Sequence, residues 1–502
     1  MKKLIIIIAT GIFFYLIMIS CKKPGEIITG GGTGTGNGSG NGSGIGSGGG
    51  NANTNKPPVA DAGPDQTITI LTSYTTTSLN GNNSHDSTGM SLQYFWKQVS
   101  GPSNSFLQTP AQEECMVYNI NTPGVYTFEL KVWNNNGTAY DTIDVAVATP
   151  SYCQSERLEV PATLTFLATM PGQIQNPEII AAGDKLLIPA WFNNATGIIS
   201  NKIYVFDRIT QTWTTIQASQ ARVGAVTIAA GNKVFFAGGM DTWDGNYTAT
   251  SIVDIYDITT NTWSVSNLSE ARGYCSAVVS GNRIFFAGGI KNNNILSNKI
   301  DIYNLETDSW TSAALPSGAR VVGTAIRALD KVLFCGGYTK YEDETGFGNT
   351  FTTPTASIDV YDNNSGQWSV GTMQVNKGSF AAISVNEKVY LAGGVVDNAV
   401  TFHVEELNVN TMTSSGSCLH QPMVSYDGKS SAITNNRIVF FTYSPYFGIE
   451  RNKFDIYNIQ TGVWSVGILP IDLVPYGVFS AIVSVNNEIY TVIGTKLYRM
   501  NL

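Results

Sequence analysis

Four basic side chains recur at one position of a repeated frame. Arg222, Arg272, Arg320 and Lys377 each stand nine residues before a turn residue: Gly231, Gly281, Leu329 and Asn386. Guanidinium forks held on a rigid frame suit carboxylates, which they grip with two parallel hydrogen bonds. In a chain of net charge −8, a local arc of such cations is a candidate anion site. Variable loops of the same frame carry aromatic and acidic residues. One holds Trp243, Asp244 and Tyr247; another holds Tyr338, Tyr341, Glu342, Asp343, Glu344 and Phe347. Trp243, Tyr338 and Tyr341 therefore join the four bases as the expected ligand-binding set, because rigid scaffolds usually bind through such loops.

Other chemistries find little support. The three histidines, His85, His403 and His420, are too dispersed to suggest a metal cluster. GxSxG, HExxH and Walker-type loops are absent from the sequence. No catalytic residue, metal or cofactor is expected. Charged residues make up only 13% of the chain and form no Lys/Arg-dense tract, so nucleic acid is not an expected partner.

The elements that must hold these residues follow from a period of about fifty residues. An aromatic residue precedes Trp by seven positions in Phe206/Trp213, Tyr256/Trp263, Tyr303/Trp310, Tyr361/Trp368 and Tyr457/Trp464. Leu407/Ser414 keeps the spacing without the rings. Upstream, apolar runs end in glycine pairs, Gly238-Gly239, Gly288-Gly289, Gly336-Gly337 and Gly393-Gly394. Each unit reads as four short antiparallel strands, one blade of a β-propeller. The last copy, Phe479 to Asn501, lacks a fourth strand, and the lone run Ala162 to Leu167 has no partners of its own. The expectation is a seven-bladed ring over residues 158–502, closed by 162–167 with 478–502. Closure would remove the unpaired sheet edges of an open ring.

Three segments precede the ring. Lys2 and Lys3, the apolar stretch Leu4 to Ile19 and Ser20-Cys21 have the layout of an export signal. Met18-Ile19-Ser20-Cys21 resembles a bacterial lipobox, which implies cleavage after residue 20, lipidation of Cys21 and a membrane anchor in the cell envelope; Lys22-Lys23, with no Asp directly after Cys21, is compatible with sorting to the bacterial outer membrane. Residues 21–55 are a Gly-rich tether, mostly Gly with Ser, Thr and Asn from Thr29 to Gly50, and residues 29–55 would reach roughly 30 Å. Residues 56–149 alternate in short strands separated by Gly101-Pro102, Pro123-Gly124 and Asn136-Gly137, which suits a β-sandwich. Once Cys21 is set aside, Cys115, Cys153, Cys275, Cys335 and Cys418 form no disulfide framework. Cys115 and Cys153 are the pair an oxidising compartment could join.

The sandwich carries further words: Pro58-Val59-Ala60-Asp61-Ala62-Gly63-Pro64-Asp65, Tyr94-Phe95-Trp96, Gly124-Val125-Tyr126-Thr127-Phe128 and Asn135-Asn136-Gly137. They resemble a polycystic-kidney-disease (PKD) repeat, which implies an immunoglobulin-like spacer or adhesion module. The glycine pairs and aromatic–Trp spacing resemble kelch repeats over nearly the whole second segment. The fold expected is all-β, a kelch-like propeller behind a PKD-like sandwich. The function expected is non-catalytic display of the propeller to an anionic glycan or an acidic protein partner on its loop face. Other kelch propellers act on sialic acids as mutarotases or epimerases, and the same arginines would suit that alternative.

Overall fold

The structure is a computed structural model that describes residues 56–502 apart from 71, 73–74, 152, 154–155, 173, 175–176, 194–197, 243–246, 343–349, 397–398, 426–428, 442–451 and 471–479. The export segment, Cys21, the tether, Trp243, Asp343, Glu344 and Phe347 lie outside the described residues.

Strict alternation builds the first unit. Tyr126, Phe128, Leu130 and Val132 of strand Gly124–Asn134 point inward and are fully buried, whereas their neighbours in sequence stay partly or fully exposed. One sheet runs in the order Gln66–Thr69, Gly137–Ala148, Gly124–Asn134, Gln93–Ser100. The other pairs Thr77–Asn80, Glu114–Tyr118 and Phe106–Leu107. Trp96 and Cys115 lie between them in one core.

Seven antiparallel sheets follow in chain order. Blade 1 is Ile180–Ala182, Lys185–Pro189, Lys202–Asp207 and Thr212–Gln217. Blade 2 is Val226–Ala230, Lys233–Ala237, Ile252–Asp257 and Thr262–Asn267; blade 3 is Ser276–Ser280, Arg283–Ala287, Lys299–Asn304 and Ser309–Ala314. Blade 4 comprises Val321–Ala328, Lys331–Glu342, Ser357–Asp362 and Trp368–Thr372. Blade 5 comprises Ala381–Val385, Lys388–Ala392, His403–Asn408 and Thr413–Cys418. Blade 6 comprises Ser431–Thr434, Arg437–Phe440, Lys453–Asn458 and Trp464–Ile468. Blade 7 has Ser480–Val485, Glu488–Ile493 and Lys496–Asn501, and its outermost strand is Thr163–Thr169, paired antiparallel with Lys496–Asn501. Innermost strands of successive blades touch, including those of blades 7 and 1, so the ring is closed.

The hydrophobic clusters sit between blades. Leu187 and Ile203 of blade 1 share a core with Phe236 and Tyr256 of blade 2. The aromatic–Trp pairs belong to these seams, with ring centroids 4.9 Å apart in Tyr256/Trp263 and 5.0 Å in Tyr361/Trp368. Such a contact contributes about 1 kcal/mol beyond the burial of its rings.

The glycine pairs serve the same seams. Gly238 and Gly239 have φ of +65° and +113°, which favours glycine. The Gly239 N–H donates to the Arg272 carbonyl of the next blade at 3.0 Å, and a Cβ on Gly238 would collide with that carbonyl oxygen. Gly289 repeats the bond to Arg320 and Gly337 to Lys377, each at 3.0 Å.

Candidate functional site

The four cations stand next to the inner strands, and their side chains turn into the blades. Arg222, Arg272, Arg320 and Lys377 are 0–1% exposed. Each arginine meets an acid two residues before the blade's seam aromatic: Arg222 with Asp254 at 2.5 Å, Arg272 with Asp301 at 2.7 Å and Arg320 with Asp359 at 2.7 Å. Each also donates to a second-strand carbonyl, of Phe236, Phe286 and Phe334 respectively. Lys377 Nζ donates to the Leu391 carbonyl at 2.7 Å. Burial pulls its pKa down to about 8, and the Glu405 carboxylate partly opposes that pull.

This corrects the expected anion site. A buried guanidinium already neutralised by a carboxylate has little left to offer a ligand, and exposing it would leave the acid uncompensated. Arg222, Arg272, Arg320 and Lys377 hold blades together. The sialic-acid alternative loses the four cations it would have used to grip a carboxylate. The partner acids were present in the sequence two residues before the aromatic slot of each frame, as Asp254, Asp301, Asp359, Glu405 and Asp455. Reading that second period beside the first would have revealed the pairing.

The inner strands enclose a channel of about 1010 Å³. Its wall is mainly apolar, with Ile228, Val279, Ala325, Ile383, Ile433 and Ile482 from six successive blades. Ser276, Ser384, Ser431 and Ser484 add hydroxyls. Arg327 lines the turn end, where its Nε donates to the Leu329 carbonyl at 3.0 Å.

The opposite mouth is aromatic. Trp191, Phe192, Tyr274, Tyr338 and Phe351 line it. Tyr274 is 37% exposed and holds a φ of +52°, unusual for a bulky residue. Its ring lies across Gly224, where an added Cβ would press on it at 3.1 Å. Tyr274 meets Phe351 edge-on with centroids 5.3 Å apart. Tyr338 stacks behind Phe351 at 5.9 Å and shares a hydrogen bond with Ser379 at 3.0 Å. Tyr341 packs against Phe351 at 4.7 Å. Thus Tyr338 and Tyr341 do converge near the mouth, as the props of Phe351. Glu342 ends its strand backbone on the same side of the blade.

One ion pair crosses the opening. Lys429, just before the first strand of blade 6, reaches Glu178, just before the first strand of blade 1. Its Nζ also donates to the Thr227 carbonyl of blade 2 at 2.7 Å. Among the described residues that line this mouth, Lys429 and Glu178 thus neutralise each other.

The sequence reading named Tyr338 and Tyr341 and missed Trp191, Phe192, Tyr274 and Phe351. Tyr274 carried a usable signal. It stands two residues after Arg272, a slot that holds Gly224, Val322 and Ser379 in neighbouring blades.

Comparison with known proteins agrees with the architecture. A family model described as a PKD domain matches residues 62–147, and the kelch motif model matches residues 221–266 and 271–314. No curated protein matches the chain. A solved structure titled "Structure of YjhT" aligns over 59% of this chain and 95% of that one, at 13% identity and a TM-score of 0.40. A likeness that slight carries no argument about function.

Proposed function

We propose that this chain, a PKD-like domain followed by kelch motifs in an all-β propeller, is a non-catalytic, lipid-anchored binding protein of the cell envelope. Its ligand is a glycan end received at the aromatic mouth of the propeller. The observation that carries the ligand class is the ring set Trp191, Phe192, Tyr274 and Phe351 above a channel of about 1010 Å³. Sugars present apolar C–H faces to aromatic rings and hydroxyls to polar groups such as Ser276 and Ser379. A mostly apolar concavity with a few convergent polar groups is the common form of a small-ligand site. The pairing of Lys429 with Glu178 favours an uncharged sugar over the acidic one expected at first.

The anchor reading rests on Lys2, Lys3, the apolar stretch Leu4 to Ile19 and Cys21. A disulfide between Cys153 and Cys418 supports it independently. Such bonds persist in compartments outside the reducing cytosol, where an exported protein resides.

A glycan array probed with the full-length chain in detergent tests the ligand class. Binding to neutral glycans, lost in Tyr274→Ala and Phe351→Ala, is expected. Retention of acidic glycans alone, or binding untouched by both substitutions, would overturn it. Steady conversion of any bound sugar would overturn the non-catalytic part.

A further inference from the structure

We propose that the outward face of the four-stranded sheet in the PKD-like sandwich is a second saccharide site, for an extended neutral polysaccharide. The inference does not depend on what the propeller mouth binds. In the register of this sheet, Phe95, Lys131 and Tyr140 stand side by side on three adjacent strands. All three occupy the outward phase of the alternation, opposite Trp96, Leu130 and Val132. Phe95 is 43% exposed and Tyr140 59%. The next outward row is Gln93, Trp133 and Thr138. Lys131 Nζ lies 4.8 Å from the centre of the Trp133 ring.

These rings stand on the face away from the sandwich core, so packing of that core does not account for them. The exposed valines on the propeller's outer strands, Val265 and Val370, sit on separate blades. Here three rings share two adjoining rows. Phe95 and Tyr140 are separated by two strand spacings, about 10 Å, on the scale of two linked sugar rings.

Charge selects among occupants. Lys97 pairs with Glu129 at 2.6 Å on this face, and Lys131 rests on an aromatic ring. Asp144 accepts from the Thr127 hydroxyl at 2.7 Å. Two lysines and two acids thus cancel, leaving little to hold a polyanion or polycation. The exposed Val99 and Val125 of the same face lie beyond the Lys97–Glu129 row, so polar groups separate them from the rings and from Gln93 and Thr138, unlike the continuous apolar patch that a protein interface buries at its centre. Rings interleaved with amide and hydroxyl groups match a neutral carbohydrate.

Co-sedimentation of the full-length chain in detergent with insoluble cellulose and insoluble β-1,3-glucan tests the proposal. Retention on at least one polymer is expected, little changed by raising NaCl to about 0.5 M, where charge contacts are screened. Phe95→Ala/Tyr140→Ala should weaken it about tenfold, the loss of one ring contact or two. Both residues are exposed, so the variant should fold, and unchanged melting would establish that. The weakening should be of the same size in a Tyr274→Ala background, which separates this site from the propeller mouth. Failure of the parent chain to bind either polymer, or equal retention of parent and double variant, would overturn the proposal. So would a dimer in solution that the double variant abolishes, since the face would then belong to a second copy.

Discussion

Arg157 donates to Asp455 at 2.5 Å, and it comes from outside the blade that carries the acid. Blades 2 to 4 pair such an acid with their own arginine. Blades 1 and 7 carry neither, having Tyr204 and Tyr498 at the acid position and Ile174 and Gly477 at the basic one. Blade 6 keeps Asp455 but has Tyr426 where a base would stand. Arg157, from the segment between sandwich and ring, supplies the missing cation, and His420 Nδ1 bonds the other carboxylate oxygen at 2.7 Å. The Arg157 guanidinium lies 5.1 Å from the Trp464 ring centre and donates to the Cys418 carbonyl. Leu158–Pro161 then adds to blade 6 as a parallel fifth strand. Arg157 is thus both a neutralising charge and a clamp on the linker.

Removing that guanidinium should be expensive. Arg157→Ala would leave Asp455 buried with His420 alone, and breaking a buried pair from one side costs about 3–5 kcal/mol. Urea unfolding should show a loss of that order, against well under 1 kcal/mol for Lys97→Ala at an exposed pair. Equal, small losses in the two variants would mean that Asp455 does not rely on Arg157.

The same logic separates structure from recognition in the ring. Arg222→Ala should cost about 3–5 kcal/mol by stranding Asp254, yet leave glycan affinity of the folded fraction unchanged. Tyr274→Ala should do the reverse, sparing stability while weakening binding. Melting curves and binding isotherms on both variants decide. Lost affinity in fully folded Arg222→Ala would restore that residue to the binding site.

The fold was legible because periodicity in sequence becomes periodicity in space. Tyr256/Trp263 and its equivalents mark blade seams, and alternation along Gly124–Asn134 marks the sandwich core. The site was only half legible. Spacing located Arg222 and its equivalents at the inner strands, but not the direction in which their side chains turn. That direction depends on Asp254 and its equivalents, 29 to 39 residues away. Phe351 lies in an insertion and Trp191 replaces the second glycine of a pair, so neither is marked by the repeat, and their meeting at one mouth follows only from ring closure.

The linker disulfide departs from the one pairing the sequence suggested. Cys153 bonds Cys418 with Cα atoms 5.2 Å apart, whereas Cys115 is free and buried in the sandwich core. Only the folded ring, with Arg157 docked on blade 6, brings positions 265 residues apart together. Closing a loop of that size constrains the unfolded chain by up to about 5 kcal/mol. Cys153→Ser/Cys418→Ser should therefore melt well below the parent, and reductant should lower the parent to the same point. The native protein should resist thiol alkylation among the described residues, because Cys115, Cys275 and Cys335 are all buried. A reductant-insensitive melting point would contradict the bond.

Acid should weaken blade 5 through His403. Burial, helped by the nearby charge of Lys377, lowers its pKa from 6.5 to about 3. Between these values the unfolded chain takes up a proton that the folded chain refuses. The stability tied to neutral His403 is therefore complete above pH 6.5 and drains away as pH falls toward 3. The slope is at most about 1.4 kcal/mol per pH unit, or about 3 kcal/mol between pH 6.5 and 4. Carboxylates titrate over part of this range, so the comparison with His403→Gln isolates the histidine. Both proteins should lose stability on acidification, the parent by more. Parallel stability curves from pH 7 to 4 would show that His403 takes up its proton as readily in the folded ring as in the unfolded chain.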